Sequence, residues 1–391
     1  MKEVFIVSAK RTPTGGLLGN LASFSATQLG AIAIEHAYKQ IGVDPSLVDS
    51  VYFGNVLSAN LGQSPARQAA IFANIPAAVD ATTINKVCAS GMKATVHGAQ
   101  QIQLGLEHLS ITGGMESMSN VPHYVMLRKS TKLGDGTLTD GMIKDGLWDV
   151  YNNFHMGSAA ELGVKKYKLS REALDAYAIE SYRRAAEATK KGKFKDEIIP
   201  ITLEQKSGNI IIDKDEDIDK IILDKVSKLK PTFEKDGNLT AANASNLNDG
   251  AAALILASAE AIKKYNLQPL AKIISYADAA QAPEWFTTSP ALAIPKALIA
   301  ANINLADIDY FEINEAYASV ILSIQQLLGL DLAKVNVYGG AVAMGHPIGA
   351  SGARIITTLL SVLKQEGGKY GVAAICNGGG GASAIVIENL K

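Results

Sequence analysis

Short apolar runs alternate with segments of helical periodicity along the N-terminal part of the chain. Residues 4–8 and 51–53 are apolar and rich in β-branched or aromatic side chains, which is typical of buried strands. Between them, residues 27–40 place apolar side chains at helical spacing on one face. The face carries Leu29, Ile32, Ala33 and Ala37. This alternation predicts an α/β fold with right-handed crossovers and a largely parallel sheet.

A long-range repeat gives stronger evidence for the domain organisation. Residues 34–49 resemble residues 294–309 at a shift of 260 (294 − 34), and the tripeptide 89–91 returns as 350–352 at a shift of 261 (350 − 89). A nearly constant shift over several elements indicates duplication. The chain is therefore predicted to contain two similar α/β halves, over about 1–119 and 270–391.

The middle of the chain does not fit this repeat. It is richer in charged and loop-forming residues, and it contains an amphipathic helix over Arg171–Lys190 with Ser170 as its N-cap. We interpret residues 120–250 as an insertion that covers one end of the duplicated core. The predicted division is 1–119, 120–250 and 251–391, with the last segment assigned to the second half.

Composition and charge exclude several classes of protein. Lys plus Arg is 37 and Asp plus Glu is 38, so no net positive field attracts nucleic acid or an anionic membrane. Two cysteines cannot form the framework of a secreted mini-protein, and no set of histidines has metal-ligand spacing. No apolar run is long enough for a transmembrane helix, and the first residues resemble neither a signal peptide nor a transit peptide. The sequence alone therefore predicts a cytoplasmic protein without a metal.

Two residues have the surroundings of an acyl-transfer pair. Cys88 lies between a strand-like segment and a predicted helix, where helix amides favour a thiolate. His346 is flanked by Gly345 and Pro347, which hold the backbone and leave room for a ligand. An imidazole is a suitable base for a thiol. The alternatives are an inert buried cysteine and a loop histidine without a role.

Two further positions follow predicted strands in the second half. Cys376 precedes a run of four glycines, whose amides can converge on an oxyanion. Asn314 follows an apolar strand and can orient a water molecule. Each has a purely structural alternative, a tight turn for the first and a turn asparagine for the second. Because the duplication can bring the strand ends of both halves together, the four residues suit acyl transfer through a thioester.

The segments VCASGMKA, NEA, GHPIGASGAR and CNGGG resemble those of thiolases, and the resemblance runs along the whole chain. His155-Met156-Gly157 is similar to the HMG of the biosynthetic class of thiolases. The resemblance implies two βαβαβαββ halves in a layered α-β-α-β-α core, an inserted loop domain, and assembly as a homotetramer. It implies reversible Claisen condensation of two acetyl-CoA to acetoacetyl-CoA and CoA, with no cofactor other than the CoA substrates.

The same resemblance implies a role for each residue of the site. Cys88 would take the acetyl group, His346 would activate it, and Cys376 would move the α-proton of the second acetyl-CoA. Asn314 would hold a water that forms one oxyanion hole with His346. The amides of Cys88 and Gly378 would form the other.

The resemblance also implies a set of CoA contacts and two departures. The positions that match CoA contacts are Leu147, His155, Met156, Phe233, Ala241 and Ser245, with Lys220 as a weaker candidate for the nucleotide phosphates. Tyr317 stands where the family usually has Phe, near the pantetheine path. Ile218 stands where potassium-activated relatives carry Tyr, so we expect no potassium site.

The sequence also allows three other functions. A degradative 3-ketoacyl-CoA thiolase of broader chain length is disfavoured by His155-Met156. A decarboxylating ketoacyl synthase would lack Cys376. A non-catalytic acyl-CoA-binding or lipid-binding homologue would not need all four catalytic positions.

Overall fold

A computed structural model describes residues 1–128, 133–204 and 208–391. In chain order, its strands are β1 (Val4–Arg11), β2 (Gly15–Gly16), β3 (Ser50–Gly54), β4 (Asp80–Ile84), β5 (Leu109–Ser117), β6 (His123–Tyr124), β7 (Thr139–Asp140), β8 (Trp148–Asp149), β9 (Phe154–His155), β10 (Ile201–Leu203), β11 (Ile210–Ile212), β12 (Asn248–Ser258), β13 (Ala271–Ala280), β14 (Tyr310–Ile313), β15 (Tyr370–Asn377) and β16 (Gly381–Asn389). The α-helices are α1 (Ala26–Gln40), α2 (Pro65–Phe72), α3 (Ser90–Leu104), α4 (Met156–Lys166), α5 (Arg171–Lys190), α6 (Ala259–Tyr265), α7 (Pro290–Ala301), α8 (Ala318–Leu328), α9 (Ala341–Met344) and α10 (Ile348–Glu366).

The strand order confirms the predicted duplication. The first half runs β1-β12-β5-β3-β4, and the second half repeats this order as β13-β16-β15-β14. In the second half, a single bridge between Phe311 and Val335 takes the place that β4 has in the first half. Antiparallel pairing of β1 with β13 joins the two halves into one ten-stranded sheet. Each half is thus one copy of the same supersecondary unit.

The expectation of a largely parallel sheet was wrong. Among the strands of the large sheet in the described ranges, the parallel pairs are β3–β4, β3–β5 and β14–β15. β12 and β16 run antiparallel to both of their long neighbours. The physical reason is the connection that precedes each of these strands. The glycines between β15 and β16 form a short hairpin turn, which only an antiparallel pair can use.

The predicted boundary of the second half was placed too early. β12 pairs with β1 and with β5, so residues 251–258 complete the sheet of the first half. The second half therefore begins with β13. The insertion leaves the sheet after β5 and returns at β12, and it carries α4, α5 and three small hairpins.

Helices α3 and α10 form the central layer between the two halves. They pack against each other, and α10 also contacts β5 and β12 on one side and β14 and β15 on the other. α1 covers the first half from outside, and α7 covers the second. A Cβ atom on Gly91 would lie 2.9 Å from the backbone nitrogen of Ala353, and one on Gly352 would meet the backbone of Met92. The repeated Ala-Ser-Gly tripeptide therefore lets the two helices approach closely.

Local sequence signals agree with the helices found. α5 has the predicted bounds, and the Ser170 hydroxyl accepts a hydrogen bond from the amide of Ala173. α1 begins one residue before its predicted start because Ser25 and Gln28 form a capping box. None of the helices in the described ranges has the length and apolar character needed to cross a bilayer.

A buried ion cluster fastens the insertion to the core. Arg11, at the end of β1, is 1% exposed, with Nε 2.6 Å from Glu197 Oε1 and Nη1 2.7 Å from Asp215 Oδ1. Asp215 also accepts a hydrogen bond from the amide of Thr14. Both carboxylates belong to the insertion, so a single guanidinium holds two of its segments.

Arg11→Ala is expected to lower the free energy of unfolding by about 3–5 kcal/mol, because it leaves two buried carboxylates without their cation. Urea unfolding followed by circular dichroism would measure the change. Arg183→Ala is the matched control, since Arg183 also contacts two carboxylates but is exposed. Equal unfolding midpoints for the two variants would contradict the expected role of Arg11.

Candidate active site

A cavity of about 610 Å³ opens where the two halves meet the insertion. Cys88, His346 and Gly378 lie in its wall, and they come from both halves. Every residue expected to contact CoA also lines it, namely Leu147, His155, Met156, Lys220, Phe233, Ala241, Ser245 and Tyr317. Residues that are up to 290 positions apart in the sequence (378 − 88) thus share one space.

Cys88 lies on a strained turn between β4 and α3. The preceding residue, Val87, has a φ of 48°, which is unfavourable for a β-branched side chain. The turn is held by Ser90, whose hydroxyl accepts from the amide of Lys86 at 2.8 Å and donates to the carbonyl of Val87 at 2.6 Å. A strained turn between strand and helix presents a nucleophile at the head of the helix, as other nucleophile turns do.

The surroundings of Cys88 hold it as a thiol at rest. Burial raises the pKa of the Cys88 thiol to about 11, and hydrogen bonding from the amides of Gly378 and Cys88 acts in the opposite direction. These two amides favour negative charge at the sulfur but do not outweigh its desolvation. The thiol therefore needs a neighbouring base to become a nucleophile.

His346 is oriented by both of its ring nitrogens and by its backbone. Its amide donates to Asn248 Oδ1 at 2.9 Å, and its Nδ1 lies 2.6 Å from Ser351 Oγ. The Ser351 hydroxyl donates its own hydrogen to the carbonyl of Pro347 at 2.9 Å. The arrangement fits an Nδ1–H that donates to Ser351, which leaves Nε2 unprotonated and able to accept. Burial lowers the pKa of His346 to about 3, so the imidazole is neutral and able to accept a proton.

Asn314 faces the same histidine. Its Nδ2 lies 3.4 Å from His346 Nε2, and its backbone amide donates to the carbonyl of Ala374 at 2.9 Å, which fixes it beside β15. Asn314 is completely buried, and its Oδ1 has no hydrogen-bond partner within the described residues. A buried acceptor of this kind requires a water or a ligand group.

Cys376 is completely buried near the end of β15. Burial, and then the nearby Cys88, raise the pKa of the Cys376 thiol well above its usual range. In the turn that follows, Gly379 and Gly380 have φ values of 84° and 80°, which favour glycine. A Cβ on Gly380 would also collide with the carbonyl of Gln281. The glycine run is therefore required by the turn that presents the Gly378 amide to Cys88.

Aromatic side chains form the wall between the thiols and the insertion. The rings of His155 and Phe233 stack at 5.1 Å, and Tyr317 meets Phe233 edge-on at 5.8 Å and Phe286 at 6.3 Å. His155 Nδ1 also accepts from the amide of Gly157 and so caps α4. This wall is rigid and mostly apolar, which suits the narrow arm of a pantetheine group.

Lys220 lies at the edge of the cavity but is already engaged. Its ammonium is 2.8 Å from Glu216 Oε1 and 2.9 Å from Asp217 Oδ1. Ile218 is buried beside it in a small apolar cluster. Across the described ranges, no group of three or more His, Cys, Asp or Glu side chains is placed to hold a metal ion.

Several residues of the site were not predicted from the sequence. Ser351 and Asn248 orient His346, Glu116 binds the first turn of α10, and Phe286 completes the aromatic wall. Ser351 could have been found from the motif around His346, because a residue in the next helical turn can reach back to it. Asn248 is separated from His346 by 98 positions, and no local pattern connects them.

Comparison with known proteins agrees with this geometry. Residues 4–260 match the thiolase N-terminal domain and residues 267–389 match the thiolase C-terminal domain. The chain therefore belongs to the thiolase family.

The relatives of this chain narrow the class of thiolase further. The chain is 54% identical to acetyl-CoA acetyltransferase 1 of Arabidopsis thaliana, over all of this chain and 95% of that protein. It is 52% identical to a cytosolic acetyl-CoA acetyltransferase of Gibberella zeae (100% and 99% covered) and 50% identical to the mitochondrial acetyl-CoA acetyltransferase of Rattus norvegicus (100% and 92% covered). The crystal structure of the Acat5 thiolase of Ascaris suum in complex with coenzyme A superimposes with a TM-score of 0.95 at 46% identity, with both chains covered completely.

Proposed function

We propose that this protein is an acetyl-CoA C-acetyltransferase that condenses two acetyl-CoA to acetoacetyl-CoA and CoA, and that also catalyses the reverse thiolysis. The observation that carries the proposal is that the Cys88 thiol and a neutral imidazole share the wall of one cavity, with the buried Cys376 thiol beside Cys88. The names of the relatives support acetyl-CoA as the substrate. No resident cofactor or metal takes part in this chemistry.

In the first half-reaction, Cys88 takes the acetyl group. His346 Nε2 removes the Cys88 proton, and the sulfur attacks the thioester carbonyl of acetyl-CoA. The carbonyl oxygen becomes negative and accepts hydrogen bonds from the amides of Cys88 and Gly378. The bond to the CoA sulfur then breaks, and the leaving thiolate takes the proton from His346. Acetyl-Cys88 and CoA are the products, which makes the reaction ping-pong.

In the second half-reaction, Cys376 supplies the base. His346 Nε2 first takes the proton of the Cys376 thiol. The thiolate then removes an α-proton from the second acetyl-CoA, and the enolate oxygen is stabilised by the Nε2–H of His346 and by a water bound to Asn314. The enolate carbon attacks acetyl-Cys88, so a carbon–carbon bond forms and the bond to Cys88 sulfur breaks. The Cys88 thiolate takes the proton from His346, and Cys376 keeps the α-proton as a thiol. The net products are acetoacetyl-CoA and a free Cys88.

The CoA arm follows the aromatic wall to the insertion. Leu147, Met156, Phe233 and Ala241 supply apolar contacts, while His155 and Ser245 supply polar ones. Lys220 contacts a nucleotide phosphate only if it leaves Glu216 or Asp217, so its share in binding is small. Tyr317 would border the acyl end, because it lines the cavity together with Cys88 and meets Phe233 and Phe286 edge-on.

Assembly and location are also part of the proposal. A homotetramer is supported by exposed apolar side chains on the loop after β6, among them Val125, Met126 and Leu127. A cytoplasmic location is supported by the cytosolic relative, although a mitochondrial relative is similarly close.

Thiolysis of 3-ketoacyl-CoAs of different length would test the substrate. We expect kcat/KM for acetoacetyl-CoA to exceed that for 3-ketohexanoyl-CoA at least about tenfold, because the aromatic wall limits the acyl end. We expect potassium to leave the rate unchanged, and 2-methylacetoacetyl-CoA serves as a branched comparison. Comparable turnover of 3-ketohexanoyl-CoA would instead favour a degradative 3-ketoacyl-CoA thiolase.

A further inference from the structure

A buried carboxylate beside the site has four hydrogen-bond donors and no role in the reaction above. Glu116, near the end of β5, is completely buried. Its Oε1 accepts from Asn55 Nδ2 at 2.8 Å and from the amide of Leu57 at 3.2 Å. Its Oε2 accepts from the amides of Val56 at 3.1 Å and Gly349 at 3.0 Å. All four donors are neutral, so the carboxylate is held by dipoles.

One of these donors belongs to the first turn of α10. A Cβ on Gly349 would lie 2.8 Å from Glu116 Oε2 and 2.6 Å from the carbonyl of Met115. The carbonyl of Gly349 in turn lies against Gly54 and Gly114, at the ends of β3 and β5. Gly349 is therefore fixed between two strands, and the hydrogen bond that its amide donates to Glu116 sets its depth there. The position is also favourable for an anion, because it faces the positive end of the dipole of a helix of 19 residues.

The same turn of α10 orients the imidazole. His346 lies three residues before Gly349, and Ser351, which contacts His346 Nδ1, lies two residues after it. Gly349 also approaches Gly91 in the first turn of α3, directly after Cys88. A shift of the α10 turn would therefore move the base relative to the nucleophile, and a misplacement of about 1 Å can cost about 100-fold in rate.

We propose that Glu116 is a positioning residue for acyl transfer, which acts through Gly349 to hold His346 in line with Cys88. The inference rests on the proposed function, because it assigns the effect to acetylation of Cys88. The carboxylate must be ionised to accept all four hydrogen bonds. A protonated acid has a hydrogen on one oxygen, which repels an amide donor.

Protonation of Glu116 should therefore weaken its hydrogen bonds and disturb the position of His346. Burial raises the pKa of Glu116 to about 7, with a further contribution from Asp249 on β12. Cys88 also faces it, with a pKa raised to about 11, and His346, which the same turn of α10 orients, has a pKa lowered to about 3. Neither titrates near pH 7, so a loss of acetylation rate as the pH falls through about 7 would report on Glu116.

Glu116→Gln tests the proposal, because glutamine has the same shape and mimics the protonated acid. The burst of CoA released from acetyl-CoA measures acetylation of Cys88. We expect the rate at pH 8 to fall about 10- to 100-fold with the KM for acetyl-CoA changed less than about twofold. We also expect the fall of rate below pH 7 to disappear in the variant. Glu107→Gln is the matched control, since Glu107 is a buried carboxylate at the opposite end of β5.

Three results would overturn the inference or separate it from the proposed function. If Glu116→Gln keeps the wild-type rate and pH profile, Glu116 has no positioning role. If the wild-type protein releases no CoA from acetyl-CoA, the proposed function itself fails. If Glu116→Gln does not fold, Asn55→Ala replaces it. Removing that donor should raise the pKa of Glu116 and move the acid limb to higher pH, and an unmoved limb would contradict the proposal.

Discussion

Cys88→Ala is expected to abolish acetyl transfer and to reduce turnover on the order of 10⁴-fold or more, because no other group can take the place of the nucleophile. Cys88 is the thiol to which the amides of Gly378 and Cys88 point, and it faces the cavity. Cys376 is the other thiol of the chain, and it is completely buried. After incubation with labelled acetyl-CoA, mass spectrometry of the denatured variant should therefore show no acetylated cysteine.

The variant also removes very little volume from the wall, so the fold should be retained. Unfolding by urea should confirm this, and binding of CoA should persist because the aromatic wall is unchanged. Acetylation of Cys88→Ala at Cys376 would show that the second thiol can act as a nucleophile. It would overturn the assignment of roles to the two cysteines.

Cys376→Ser is expected to separate the two half-reactions. Acetylation of Cys88 should continue within about tenfold of the wild-type rate, because His346 and the two amides remain in place. Condensation should fall about 10²–10⁴-fold, the usual contribution of a general base, since a serine hydroxyl is a far weaker source of an anion than a thiol. The burst of CoA release measures the first step, and the formation of acetoacetyl-CoA measures the second.

Exchange of the α-protons gives a direct readout of this base. Wild-type protein should exchange deuterium from solvent into the methyl group of bound acetyl-CoA, and Cys376→Ser should not. The Cys88→Ala variant is the matched control, because it keeps Cys376 but cannot form the acetyl-enzyme. Normal condensation by Cys376→Ser would remove Cys376 from the role of α-proton base.

Local sequence determined those features that depend on neighbouring residues. The N-cap at Ser170 and the helix that follows it could be read from side chains within one turn. The duplication was visible because both copies keep the same order of elements and the same Ala-Ser-Gly tripeptide. The structure adds the reason for that tripeptide, which is the close crossing of α3 and α10.

The candidate site was predictable as a set of residues but not as an arrangement. Cys88, His346, Cys376 and Asn314 stand in recognisable motifs, and glycine runs marked the turns beside them. Their protonation states depend on burial, which no motif contains. Burial lowers the pKa of His346 to about 3, and the hydrogen bond from Ser351 to Pro347 favours the tautomer in which Nε2 carries no proton.

Only the tertiary structure decided the partners that are remote in the chain. The prediction of a largely parallel sheet was wrong partly because the direction of β12 depends on the return path from the insertion. The contacts of Arg11 with Glu197 and of Glu116 with Gly349 join residues 186 and 233 positions apart. The sequence alone therefore determined the N-cap of α5, the repeat and the chemical groups of the site. Folding decided their distances and charge states, because these depend on burial and on contacts between distant segments.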